Sequence, residues 1–133
     1  MLGTSIGIKP KDTTSVIAQI QKGLPAKAFT RLKKNLKTTD RELAGILGIP
    51  VSTLARRKKN NRFPFEESER MFRIARIYDK ALKVFGNEDL ARKWLKDPAW
   101  SLGDVVPLAY AKTELGAHEV ENLLGRIEDG VFS

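Results

Sequence analysis

The side chains best suited to bind another molecule lie in one short basic stretch. Ser52 and Thr53 supply hydroxyl groups, and Arg56, Arg57 and Lys59 supply cationic donors. An arginine can donate two hydrogen bonds to one guanine, whereas contacts to phosphates position a protein without selecting sequence. We therefore predict base or near-base contacts from Ser52, Thr53 and Arg56, and phosphate contacts from Arg57 and Lys59.

Residues 39–59 are predicted to position these groups as two short helices joined by a tight turn. Thr39 followed by Glu42 matches the capping-box pattern at a helix start, and Gly48 suits the left-handed conformation that ends a helix. The apolar positions expected to face inward are Leu43, Ala44, Leu47, Ile49 and Leu54. This spacing is typical of a helix-turn-helix, whose second helix enters the DNA major groove. Its structural alternative is any two-helix hairpin with a basic second helix.

Arg57 departs from this pattern, because helix-turn-helix segments usually carry an apolar residue late in the second helix. We consider two explanations. Either the second helix is slightly rotated, or Arg57 lays its aliphatic stem over the edge of the core and keeps its charge in water.

The composition excludes several classes of protein. The chain has 133 residues and no cysteine, so neither a disulfide framework nor a cysteine zinc cluster is possible. No run approaches the roughly 18 apolar residues of a membrane helix, and the start lacks the features of a secretory signal. The single histidine, His118, has no partner for a metal site or nucleophile. We expect a cytoplasmic protein that is not an enzyme, with no cofactor, no metal and no membrane partner.

The charge is unevenly distributed along the chain. Residues 1–62 hold 14 Lys and Arg against 3 Asp and Glu, a balance of +11, and residues 63–133 hold 10 against 13, a balance of −3. A basic half favours a polyanionic partner such as DNA. The acidic half is expected to bind something else.

Apolar spacing predicts helices throughout and no convincing strand, so the expected class is all-α. We expect Ile17 to face inward from the first helix, and Phe63 and Phe65 to dock onto the core around Pro64. The last helix is expected to start at Ala117, after a break at 115–116. The expected domains are a helix-turn-helix domain with an N-terminal arm (1–65), a connecting or dimerisation helix (66–85) and a second helical domain (86–133).

From residue 84 onward, a series of residues resembles one known family. The series comprises Phe85-Gly86, Ala91, Trp94-Leu95, Pro98, Leu102-Gly103, Pro107-Leu108, Gly116, Val120, Leu124 and Gly130-Val131-Phe132. It is similar to the C-terminal toxin-binding domain of the Xre/MbcA/ParS antitoxins, which follows an Xre-like helix-turn-helix. In this chain Asp104-Val105-Val106 replaces a more usual Gly- or Lys-containing stretch.

The resemblance implies an antitoxin that neutralises a RES-domain toxin, a relative of ADP-ribosyltransferases that uses NAD. It also implies repression of the protein's own operon by a homodimer bound to operator DNA. The alternatives are a free-standing regulator whose acidic half serves dimerisation or sensing, and a nucleoid-type or partition DNA-binding protein.

The last residues are candidates for toxin contact. A pocket for the NAD pyrophosphate is expected to be basic, and residues 97–133 carry 7 Asp and Glu against 2 Lys and Arg. The tail, residues 128–133, is therefore expected to block the toxin's NAD site. The alternative is that these residues form a frayed terminus. Trp94 is expected in the core and Trp100 at an interface. The predicted toxin-binding residues are Trp100, Arg126, Glu128, Asp129, Gly130, Val131, Phe132 and Ser133.

Overall fold

The computed structural model describes residues 4–8 and 12–130, and these residues form α-helices without any strand. Within them, Ala99 and Val105 form an isolated antiparallel bridge, and Thr4–Ile6 and Trp100–Leu102 form 3₁₀ turns. The α-helices are α1 Thr13–Lys22, α2 Ala26–Leu36, α3 Asp40–Leu47, α4 Val51–Asn60, α5 Phe65–Phe85, α6 Glu88–Lys96, α7 Pro107–Tyr110 and α8 Glu114–Glu128. The all-α prediction is confirmed.

The chain divides into two compact units, Met1–Ala75 and Arg76–Ser133. The boundary falls inside α5, so this 21-residue helix belongs by its first half to unit 1 and by its second half to unit 2. Each unit therefore uses part of one helix as a wall of its own core.

The core of unit 1 is organised around two stacked phenylalanines and one buried hydroxyl group. The rings of Phe29 and Phe63 lie 5.8 Å apart, centroid to centroid, and are nearly parallel. The Ser68 hydroxyl is fully buried; it accepts a hydrogen bond from the Leu24 amide at 2.8 Å and donates one to the Phe63 carbonyl at 3.1 Å. This hydroxyl ties the start of α5 to the segments that precede α2 and follow α4.

Two apolar residues of unit 1 do not lie where the sequence predicted. Ile17 is 49% exposed, because Val16 and Ile20 occupy the buried face of α1. Phe63 is buried as expected, but Phe65 is 41% exposed. Phe65 is the first residue of α5, and its side chain lies off the buried face of that helix.

Unit 2 packs α6, α7 and α8 with the second half of α5. The Asn87 side chain caps α6 by accepting a hydrogen bond from the Leu90 amide at 3.0 Å. Arg76 of α5 and Glu121 of α8 form a two-bond ion pair, with N–O distances of 2.8 and 3.1 Å. The buried apolar side chains of this unit include Ala81, Leu95, Leu108, Val120 and Leu124.

The start of α8 differs from the prediction. Residues 115–116 do not separate two helices, because α8 already begins at Glu114. The Thr113 hydroxyl accepts a hydrogen bond from the Gly116 amide at 3.0 Å and so acts as the N-cap. The cap lies one turn earlier than expected, and Gly116 is part of the first helical turn.

Candidate functional site

The turn between α3 and α4 has the geometry that the sequence predicted. Both bonds of the capping box are present: the Thr39 amide donates to Glu42 Oε1 at 2.9 Å, and the Glu42 amide donates to Thr39 Oγ1 at 3.1 Å. Gly48 ends α3 in the left-handed conformation, with φ 69° and ψ 31°. The Ile49 amide then donates to the Ala44 carbonyl at 2.8 Å. These bonds set the direction in which the chain enters α4.

Burial decides which face of α4 points outward. Leu54 is the buried residue of α4, and it packs into a core that includes Leu43, Ala44, Leu47 and Ile49. Arg70 of α5 also donates to the Leu47 carbonyl at 2.9 Å, which satisfies an acceptor at the C-terminal end of α3. The face of α4 opposite Leu54 is therefore left to solvent.

The predicted DNA-contact residues, with the exception of Arg57, lie on or beside this outward face. Ser52, Arg56 and Lys59 are exposed, and Thr53 is half-buried. In the part of the chain that the structure describes, neither Arg56 nor Lys59 has a hydrogen-bond or ion-pair partner. The helix thus presents a hydroxyl group and two unpaired cations on one surface.

Arg57 has a different environment. Its Nε and Nη2 atoms donate to the two carboxylate oxygens of Glu67 at 2.9 and 3.0 Å, and both side chains are largely buried. The Glu67 carboxylate raises the pKa of Arg57 above its ordinary value. Arg57 lies at the edge of the core, as one of the two explanations held. Its charge is paired with Glu67 rather than left in water.

Lys58 is likewise engaged inside unit 1. The Asp40 carboxylate at the start of α3 pairs with Lys58 and, at 2.9 Å, with Lys33 of α2. The bonds from Lys58 and Lys33 hold the pKa of Asp40 below its ordinary value. The Lys58 ammonium also lies 5.6 Å from the centroid of the Phe29 ring. The basic residues of α4 are therefore of two kinds. Arg57 and Lys58 are paired within unit 1, whereas Arg56 and Lys59 are unpaired in the described part of the chain.

Unit 2 contains a groove of about 570 Å³ between α6, α8 and the 3₁₀ turn. Lys93 and Asp97 lie along it and pair with each other at 2.8 Å. The lining residues are otherwise mainly apolar or aromatic: Phe85, Leu90, Trp94, Pro98, Ala99, Trp100, Ser101, Leu123 and Ile127. The size and lining suit an apolar segment of a partner rather than a charged small molecule.

The two tryptophans both line this groove. Trp94, predicted in the core, is half-buried; its ring lies 5.9 Å from that of Phe85 and forms part of the groove wall. Trp100 is 74% exposed, since the 3₁₀ turn of Trp100–Leu102 holds its side chain outside the core. Leu90, which the sequence patterns do not mark as a binding residue, is 53% exposed and lies one helical turn before Trp94.

Of the predicted toxin-binding residues, Trp100 alone lines the groove within the described part of the chain. Arg126 is half-buried in the last turn of α8, while Glu128 and Asp129 are exposed at its end. Gly130 is exposed in a left-handed conformation with φ 76°. Val131, Phe132 and Ser133 lie outside the described residues.

The described residues contain neither a metal-ligand cluster nor a membrane-spanning helix. Across residues 4–8 and 12–130, no group of three or more His, Cys, Asp and Glu side chains is placed to hold a metal ion. Within the same ranges, no helix combines the length and apolar composition needed to cross a bilayer.

The fold is that of a helix-turn-helix protein with a second helical unit, and family comparisons agree with it. Residues 15–76 match the antitoxin Xre-like helix-turn-helix domain, and residues 80–130 match the antitoxin Xre/MbcA/ParS C-terminal toxin-binding domain. The chain belongs to the Xre antitoxin family.

Relatives similar to this chain bear the same family name. Proteins named "Antitoxin Xre" from Photorhabdus laumondii and Yersinia enterocolitica are 32% and 34% identical to it; each alignment covers 99% of this chain and 90% of the relative. A "Prs ADP-ribosylating antitoxin" from a Sphingobium species is 24% identical, over 88% of this chain and 80% of that protein.

Proposed function

We propose that this antitoxin neutralises a RES-domain toxin that uses NAD and, as a homodimer, represses its own operon by binding operator DNA. One observation carries the proposal. The same chain joins a helix-turn-helix with an outward basic helix to a domain of the toxin-binding family whose groove is open and apolar.

For DNA, the proposed contacts follow from which cations are unpaired. Arg56 lies near the middle of α4 with its guanidinium exposed, and we assign it to a guanine in the major groove. Ser52 and Thr53 lie in the first turn, which approaches base edges in helix-turn-helix complexes. Lys59, one turn beyond Arg56, is assigned to a phosphate. Arg57 is left out of the contact set because two of its donors, on Nε and Nη2, are bound to Glu67.

Substituting Arg56 tests this assignment. Arg56→Ala is expected to lose about 1–3 kcal/mol of preference for the operator over a scrambled duplex, since a base contact distinguishes sequences. Lys59→Ala is the matched control, and it is expected to weaken both duplexes equally. Fluorescence anisotropy on the two duplexes over a salt series measures both effects. An Arg56→Ala protein with unchanged preference would show that α4 does not read the bases through this residue.

For the toxin, we propose that the groove of unit 2 receives an apolar segment of the partner. The groove lies within residues 85–127, inside the 80–130 range that matches the toxin-binding domain. Its one charged pair, Lys93 with Asp97, is internally balanced, so an uncharged segment meets no unpaired charge there. The name of the Sphingobium relative supports an ADP-ribosylating class of toxin.

Two equally exposed side chains test the groove. Trp100, at 74%, lines it, and Leu115, at 75%, does not. Trp100→Ala is expected to weaken binding of the proposed RES-domain toxin by about 2 kcal/mol or more, because aromatic interface residues carry much of the binding energy. Leu115→Ala is expected to bind normally. Co-purification and titration calorimetry measure the difference, and equal binding by the two variants would exclude the groove.

The proposed role of the tail needs a separate test. Glu128 and Asp129 are proposed to pair with a basic NAD pocket while Val131 and Phe132 fill its apolar wall. Deleting residues 129–133 is then expected to restore NAD loss by the toxin while complex formation through the groove persists. Full inhibition by the shortened protein would rule out occlusion by the tail.

A further inference from the structure

The first turn of α4 exposes apolar surface that neither the core nor helix propensity explains. Val51, the first residue of α4, is 49% exposed, and Pro50 before it is also exposed. Valine is a weaker helix former than most residues, because its branched side chain loses rotamer freedom.

The position of Val51 on α4 determines where this apolar surface lies relative to the proposed DNA-contact residues. At 3.6 residues per turn, Val51 and Ala55 lie one above the other along one edge of the outward face. Ser52 and Arg56 lie nearest the centre of that face, and Lys59 lies between Ser52 and the Val51–Ala55 edge. Both Val51 and Ala55 are solvent-exposed. The outward face therefore has an apolar edge beside a centre that carries the hydroxyl group of Ser52 and the two cations.

DNA offers one apolar group that matches such an edge. In the major groove the C5-methyl group of thymine is the only apolar feature of the base edges, and it contacts alanine, threonine methyl or similar side chains. The excess of 11 positive charges in residues 1–62 favours a polyanion as the occupant of this surface rather than an apolar protein segment. The unpaired cations Arg56 and Lys59 lie on the same face of α4.

We propose that Val51, supported by Ala55, selects a thymine in the operator by contacting its methyl group. This inference rests on the proposed DNA-binding function and extends it, because it assigns a second specificity residue that discriminates by apolar contact rather than by hydrogen bonding. The operator half-site would then contain a thymine for Val51 close to the guanine for Arg56.

Deoxyuridine supplies the test, because it lacks only the methyl group and pairs as thymine does. The probe is the duplex that the wild-type protein enriches from a random-sequence library, with each thymine replaced singly. One replacement is expected to weaken wild-type binding about fourfold, the effect of removing one methyl contact. In Val51→Ala, a substitution that suits a helix, the same replacement is expected to have no effect.

Ile17→Ala is the matched control, because Ile17 is also 49% exposed but lies on α1. This variant should keep the wild-type sensitivity to deoxyuridine. The inference is overturned if no single replacement weakens wild-type binding, or if Val51→Ala remains equally sensitive. A wild-type protein that enriches no sequence at all would instead overturn the DNA-reading function, and the inference with it.

Discussion

Two cations of α4, Arg57 and Lys59, are two positions apart in sequence but have different surroundings. Lys59 is exposed, whereas the Arg57 side chain is only 22% exposed and lies against Glu67. A largely buried, two-bond guanidinium–carboxylate pair joins α4 to α5 more firmly than a surface ion pair would. The charge of Arg57 therefore contributes to the stability of unit 1, and the charge of Lys59 is available to a ligand.

Replacing these two residues should separate stability from DNA binding. Arg57→Met is expected to lower the free energy of unfolding by about 1–2 kcal/mol, because it leaves the largely buried Glu67 carboxylate without its partner. Lys59→Met should leave stability unchanged. In DNA binding, Lys59→Met is expected to reduce the salt slope by about 0.9, the value for one lost phosphate contact, and Arg57→Met should not.

Urea unfolding and binding at several salt concentrations measure the two quantities. A double-mutant cycle with Glu67→Gln isolates the energy of the pair itself. If Arg57→Met reduced the salt slope as much as Lys59→Met, Arg57 would be a phosphate contact after all.

At the scale of elements, the start of α8 shows how closely two helices of unit 2 approach. A Cβ atom on Gly116 would overlap the carbonyl oxygen of Tyr110, the last residue of α7. Gly125, nine positions later in the same helix, has only the flexible end of Lys80 near it, at 3.6 Å. One glycine is therefore required by close backbone packing and the other is not.

This contrast gives opposite expectations for the same substitution. Gly116→Ala should lower stability by about 1–3 kcal/mol, since the added methyl group forces the α7–α8 connection to move. Gly125→Ala should raise it by about 0.5–1 kcal/mol, because alanine loses less backbone entropy in a helix. Thermal unfolding of the two variants checks both signs, and a stabilised Gly116→Ala protein would contradict the packing of α7 against α8.

At the scale of the whole molecule, the two proposed functions use different units. The proposed DNA contacts lie in Met1–Ala75, and the groove lies in Arg76–Ser133. The charge distribution follows the same division, with the positive excess in residues 1–62. Each unit has its own buried residues, so a surface substitution in one need not disturb the other.

The two functions should therefore be separable by single substitutions. Arg56→Ala is expected to lose operator preference and keep full affinity for the toxin, while Trp100→Ala should do the reverse. Binding titrations of both variants against both partners measure this, with unfolding midpoints confirming that each variant is folded. A variant that loses both activities while it remains folded would show that the two sites are coupled.

Sequence patterns determined the helical class, the capping box, the turn at Gly48 and the outward basic helix. These features depend on local spacing and on the conformations that single residues allow. Sequence resemblance alone likewise indicates the family. The sequence predicts the start of α8 one turn too late. A glycine near a helix start suggests a break, and the sequence does not show that Gly116 is needed for the close approach of the Tyr110 carbonyl.

The tertiary structure alone decided what individual side chains do within those elements. The helix-turn-helix pattern marks Arg57 as unusual, but only the fold brings Glu67, ten positions away, against it. The groove likewise combines residues from α5, α6, α8 and the 3₁₀ turn, which no local pattern relates. Charge pairing and surface shape depend on contacts between residues distant in sequence, whereas helix periodicity and capping depend on near neighbours.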